Sequence, residues 1–105
     1  MAYDFVVDIG NSAKSDPIVI GSVDYDECLE IGALLNYKDS FFLNRISDLF
    51  QDQSFSVEEL IQAQSHLLAL LPIELSLRER ILLHKLIAIV TYALSVQRSL
   101  HGVSD

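Results

Sequence analysis

The sequence predicts a mainly α single domain: a four-helix, bundle-like fold with a long central C-terminal helix and a short strand-like N-terminal arm. Three observations point to it. Half of the 105 residues are hydrophobic, enough for a core and too many for a disordered chain. Ser-x-x-Glu pairs, Ser56/Glu59 and Ser76/Glu79, each stand at the head of a run with helical apolar spacing, the sign of a capping box. The last of these runs, Ser76–Leu100, is apolar on nearly every side, as suits a helix surrounded by others.

Taken in order, residues 1–22 form the arm. YDFVVDI (3–9) and PIVIG (17–21) are β-branched and bounded by turn formers, so they read as two short strands or an extended segment lying on the helices. Residues 24–101 are the helical part. Asp24, with Glu27 three residues on, caps a helix reaching about Tyr37, whose inward stripe is Tyr25, Cys28, Leu29, Gly32 and Leu35. After a break at Lys38–Ser40, SFFLNRISDLFQD places Phe42, Ile46, Leu49 and Phe50 on one face. Phe55 is placed to staple onto Leu60 across the Ser56 cap. The helix Val57–Leu71 follows, inward through Val57, Leu60, Ile61, Gln64, Leu67, Leu68 and Leu71, and ends before Pro72. The short loop PIEL makes it an antiparallel neighbour of the long helix.

Leu82, Leu86, Ile89, Ala93, Val96 and Leu100 line one face of that last helix, and Leu83, Ile87, Val90 and Leu94 widen it. His84, Ala88, Thr91, Ser95 and Arg98 make a narrow polar or small strip, and His101-Gly102 closes the helix. A membrane span is disfavoured, because His84 and Lys85 interrupt a run already short of the roughly 18–20 apolar residues a bilayer needs. MAYDFVVDIG carries acid where a secretory leader carries base, and the lone Cys28 cannot pair within the chain; a cytoplasmic protein is expected.

The net charge of −8 is unevenly placed: residues 1–60 carry −9 and residues 61–105 carry +1. An acidic front half repels nucleic acid and anionic membrane surfaces and favours a basic protein partner. Solubility alone also accounts for such acids, and Asp24, Asp26 and Glu27 suit the positive end of a helix dipole. If the polar faces of the first three helices converge, Asp24, Asp26, Glu27, Glu30, Asp39, Asp48, Asp52, Glu58 and Glu59 form one acidic patch. Tyr25, Tyr37 and Phe41 would then be its aromatic anchors, unless they serve as core or cap residues.

Signs of catalysis are weak. Asp8–Ser12, DIGNS, resembles the first phosphate turn of the actin-like and acetate-kinase-like ATPases, with Lys14 nearby; those folds need a second such turn and a longer chain, and a Gly-Asn turn between strands accounts for the residues. His66, His84 and His101 lack metal-ligand spacing, His84 reads as a rim residue and Cys28 as core. No catalytic residue, metal or cofactor is assigned.

The start MAYDF, the acidic middle YKDSFFLNRISDLF and FSVEELIQA, and the ending LHGVSD after an apolar helix resemble the small acidic immunity proteins of bacteria, of the contact-dependent growth inhibition and polymorphic-toxin kind. The resemblance implies a non-enzymatic protein that occludes the active site of a cognate toxin, often a basic nuclease. The Asp-Ser-Pro segment and paired tyrosines of the helical nuclease-colicin immunity proteins are missing, so no residue roles are carried over. The competing expectations are an acidic helical adaptor or homodimer subunit, and a small enzyme using His84 or Asp8.

Overall fold

The β-branched runs near the N-terminus are not an arm but half of a sheet. A computed structural model describes residues 2–8, 17–48 and 51–104. In it β1 (Ala2–Asp8) pairs antiparallel with β2 (Pro17–Asp24). A 3-10 turn, Tyr25–Glu27, leads into α1 (Cys28–Tyr37), followed by α2 (Phe41–Ile46), β3 (Gln53–Phe55), α3 (Val57–Leu68), α4 (Leu77–Ser95) and β4 (Leu100–Ser104). The strands make one antiparallel sheet in the order β2-β1-β4-β3. The expected mainly α, four-helix bundle is therefore wrong: the fold mixes α and β, with the last strand of the chain at the centre of the sheet.

Three boundaries account for the difference. The long helix stops at Ser95 rather than Leu100. Gln97 takes a left-handed φ of 55°. Its N–H donates to Leu94 O at 3.0 Å and that of Arg98 to Ala93 O at 3.1 Å, the paired bonds of a Schellman stop. Beyond it LHGVS alternates in burial and threads between β1 and β3. The second helix ends at Ile46, well short of Asp52, and the two expected inward residues Leu49 and Phe50 lie outside the described residues, as do Ile9–Ser12 of the DIGNS turn and the nearby Lys14. Phe55 is a strand residue opposite Leu100. The third helix ends at Leu68, and tight turns carry the chain on to Ile73.

The capping signals are where the sequence placed them. Asp24/Glu27, Ser56/Glu59 and Ser76/Glu79 all form capping boxes. Each satisfies backbone N–H groups that a helix start leaves without intrahelical partners.

Helices and sheet share one core. Tyr3, Phe5, Val7, Val23, Phe55 and Leu100 from the strands are buried with Ile31, Leu34, Phe42, Leu60, Leu67, Leu82, Leu86 and Val90 from the helices. Phe5 lies opposite Gly21 on one side and Gly102 on the other. A Cβ on Gly21 would come within 2.6 Å of Ile89 Cδ1, and one on Gly102 would collide with the Tyr3 ring. These two glycines let α4 and Tyr3 lie directly on the sheet. The opposite sheet face carries Asp4, Val6, Ser54, His101 and Val103, with Ser54 Oγ 2.9 Å from His101 Nδ1. Among the described residues, no helix is long and apolar enough to cross a membrane.

Candidate acidic interface

The nine acids do not form one patch. They divide mainly between two places, at the outer edges of the sheet.

The first lies where β2 runs into α1 and meets the start of α4. Capping places Asp24 and Glu27 there, and the next turn adds Glu30. The Asp24 N–H donates to Glu27 Oε1 at 3.0 Å, and the Lys85 ammonium of α4 donates to the same oxygen at 2.6 Å and to Ser22 O at 3.2 Å. Arg78 Nε lies 2.7 Å from Glu30 Oε1, while its Nη2 donates to Asp26 O at 3.4 Å. A cleft of about 310 Å³ opens between them, lined by Asp24, Asp26, Glu27, Glu30, Arg78, Ile81 and Lys85. Four carboxylates against two cations leave it negative. The Glu30 side chain is only 13% exposed, and its Oε2 is buried without a hydrogen-bond partner. A buried carboxylate oxygen lacking a donor carries a desolvation cost that an incoming N–H would relieve. Asp24, Asp26 and Tyr25 are exposed at this end of the molecule.

The second place surrounds Arg45, on α2. Its Nη1 donates to Glu59 Oε2 at 2.7 Å, its Nη2 to Ser54 O at 2.7 Å and its Nε to Gln53 Oε1 at 3.2 Å. The guanidinium stacks 4.3 Å from the centre of the Phe55 ring. The Glu59 carboxyl is held below its ordinary range, chiefly by the Ser56 N–H and further by Arg45. Asp52 Oδ1 accepts the Ser104 N–H at 2.8 Å, closing the rim of β4. The Tyr3 hydroxyl donates to Gln51 O at 3.0 Å. Burial, with the negative fields of Asp52 and Asp48, pushes the Tyr3 phenol up to about 12.

The remaining residues stand apart. Asp39 Oδ1 accepts from Asn44 Nδ2 at 3.2 Å, tying the α1–α2 turn. Glu58 is exposed in the first turn of α3. The Tyr37 hydroxyl donates to Glu79 Oε1 at 3.3 Å, and that carboxylate raises the Tyr37 phenol. Phe41 is half-buried, edge-on to His66 at 6.0 Å between ring centres, and so belongs to the core rim rather than to an anchor.

Asp24 opposes Ala2 and Asp52 bonds Ser104, so both groups sit at the same end of the sheet. Three strand spacings, about 14 Å, separate its edges. Sequence reasoning missed Arg78, Ile81 and Lys85, whose pairing with Glu27 and Glu30 spans about half the chain and leaves no local signal. Among the described residues, no group of three or more His, Cys, Asp or Glu is placed to hold a metal ion. Comparison with protein-family models, curated proteins and solved structures gives no match.

Proposed function

We propose that the chain is a non-catalytic binding protein that engages a basic protein partner at the Asp24–Glu30 cleft, in the manner of a bacterial immunity protein neutralising its toxin in the cytoplasm. The observation that carries the reading is Glu30 Oε2: a buried carboxylate oxygen without a donor, in a cleft of net negative charge. A lysine or arginine side chain from a partner that enters the cleft, with the Glu30 carboxylate turning to expose Oε2, supplies the missing donor, and desolvated charge-assisted bonds of this kind are the strong ones. Asp24 and Asp26 at the rim add long-range attraction, which acts mainly on the association rate. The Arg45 group is already bonded internally and serves as structure.

The test is capture of partners from an extract of the source cell, followed by association kinetics of the purified partner at low and physiological salt. Replacing Asp24 and Asp26 by lysine together lowers the association rate at low salt roughly 10-fold or more and flattens its salt dependence. Glu30→Gln, which keeps the shape, accelerates dissociation. A partner that binds both variants as it binds the native chain removes this cleft from the interface.

A further inference from the structure

The two outer strands of the sheet, β2 and β3, are closed in the same way. In an antiparallel outer strand every second residue turns its N–H and C=O away from the ladder, and those groups are what a further strand pairs with. On β2 the Ser22 carbonyl accepts the Lys85 ammonium at 3.2 Å, and two residues on the Asp24 N–H donates to Glu27 Oε1 at 3.0 Å. On β3 the Ser54 carbonyl accepts Arg45 Nη2 at 2.7 Å, and two residues on the Ser56 N–H donates to Glu59 Oε1 at 3.0 Å. In both places the glutamate also holds the cation: Glu27 Oε1 lies 2.6 Å from Lys85 Nζ, and Glu59 Oε2 lies 2.7 Å from Arg45 Nη1. Ser22, Asp24 and Glu27 therefore repeat the spacing of Ser54, Ser56 and Glu59, one set at each edge.

Each glutamate belongs to the capping box that starts the helical turn after its strand. Capping needs only the glutamate. The cation is brought from elsewhere, from α4 at one edge and from α2 at the other, and nothing in a capping box calls for it to reach a strand carbonyl. Seated there, it occupies an acceptor of the free edge and puts a charge in the path of an incoming strand.

The two edges need this unequally. β3 has three residues, too few to template another strand, whereas β2 has eight. Residues 17–23, PIVIGSV, carry no charge, and Ile18 and Val19 are exposed. In a chain of net −8, this is a strand on which two copies can pair antiparallel about a two-fold axis without repulsion. Pro17 offers no N–H, and the register with β1 skips Ile20, so the first half of β2 is already a poor template. Its second half is guarded by Lys85.

We propose that Lys85, held by Glu27, is a lock that keeps β2 from pairing with β2 of a second copy, and that Arg45 with Glu59 is the matching lock on β3. The proposal does not depend on the function of the acidic cleft, because no partner takes part in its test.

Sedimentation velocity is run at roughly 100 μM, within the range in which unpaired strand edges associate. The native chain sediments as a single chain of 11.8 kDa. Lys85→Met, which keeps the apolar stem and removes the ammonium, gives species of at least twice that mass, and hydrogen exchange slows at the amides of residues 19–22. Lys85→Arg stays monomeric, and adding Val19→Lys to Lys85→Met restores the monomer. Arg45→Ala loosens the fold more but frees only a three-residue strand, so it too stays monomeric. Should Lys85→Met fail to fold, Glu27→Gln is read in the same way: it keeps an oxygen for the Asp24 N–H and drops the charge that holds Lys85. A folded lock variant that stays monomeric, association that leaves residues 19–22 unprotected, equal association of Arg45→Ala, or a native chain that is itself associated would each overturn the proposal.

Discussion

Two arginines show how alike and how different the two acidic regions are. Arg45 and Arg78 each pair with a glutamate at 2.7 Å. Arg45 stacks on the core ring of Phe55 and joins α2 to both β3 and α3 through three hydrogen bonds. Arg78 is 63% exposed, and the glutamate it meets keeps a second oxygen without a donor. Equal pair distances thus accompany unequal surroundings: one region is closed by its own chain, the other keeps a carboxylate oxygen without a donor. Composition does not distinguish them; the surroundings of each ion pair do.

That contrast can be broken by substitution. Phe55→Ala removes the ring under Arg45 and opens a cavity in the shared core, costing about 3–5 kcal/mol in urea unfolding. The phenol of Tyr3 gives a smaller, pH-dependent effect. Its folded value near 12 exceeds the unfolded 10, so the unfolded chain releases the proton first. Stability is therefore fully present below pH 10 and falls by roughly 2–3 kcal/mol as pH rises to about 12. Tyr3→Phe abolishes that alkaline loss, and a loss that persists in the variant would show that Tyr3 is not its source.

Arg45→Ala costs about 1–2 kcal/mol, a figure already reduced for partial solvent screening, and lowers the melting temperature by roughly 4–12 °C. Lys85→Ala in the open region costs about 1 kcal/mol or less in the same assay. On partner association the ranking reverses, with the Asp24–Glu30 variants dominant. Equal stability losses for Arg45→Ala and Lys85→Ala would erase the distinction between the regions.

Much of the helical framework was legible because its signals are local. Serine caps followed by glutamate three residues on, and leucines returning every three or four positions, act within a single turn. The sheet was less legible. Leu100 falls in phase with the stripe Leu86–Ala93–Val96 as well as with the alternation of LHGVS, so only the left-handed Gln97 decides between them. Phe55 fits a helix staple as well as a three-residue strand, and its partner Leu100 lies 45 residues away.

By itself the sequence determined the capped helix starts and the excess of negative charge in its first sixty residues, because turn-length hydrogen bonds and side-chain chemistry need no distant partner. It did not determine which apolar residues turn inward, since Leu29, Ile61, Leu68 and Val96, expected on inward faces, are 79%, 57%, 43% and 40% exposed, whereas Ile31 and Leu34 are fully buried. Only the tertiary structure decided that Leu100–Ser104 enters the centre of a sheet, that Glu27 and Glu30 meet Lys85 and Arg78, and that the carboxylates divide between two edges. Strand pairing and long-range ion pairs bring together residues remote in the chain, and their free energy depends on what else becomes buried around them.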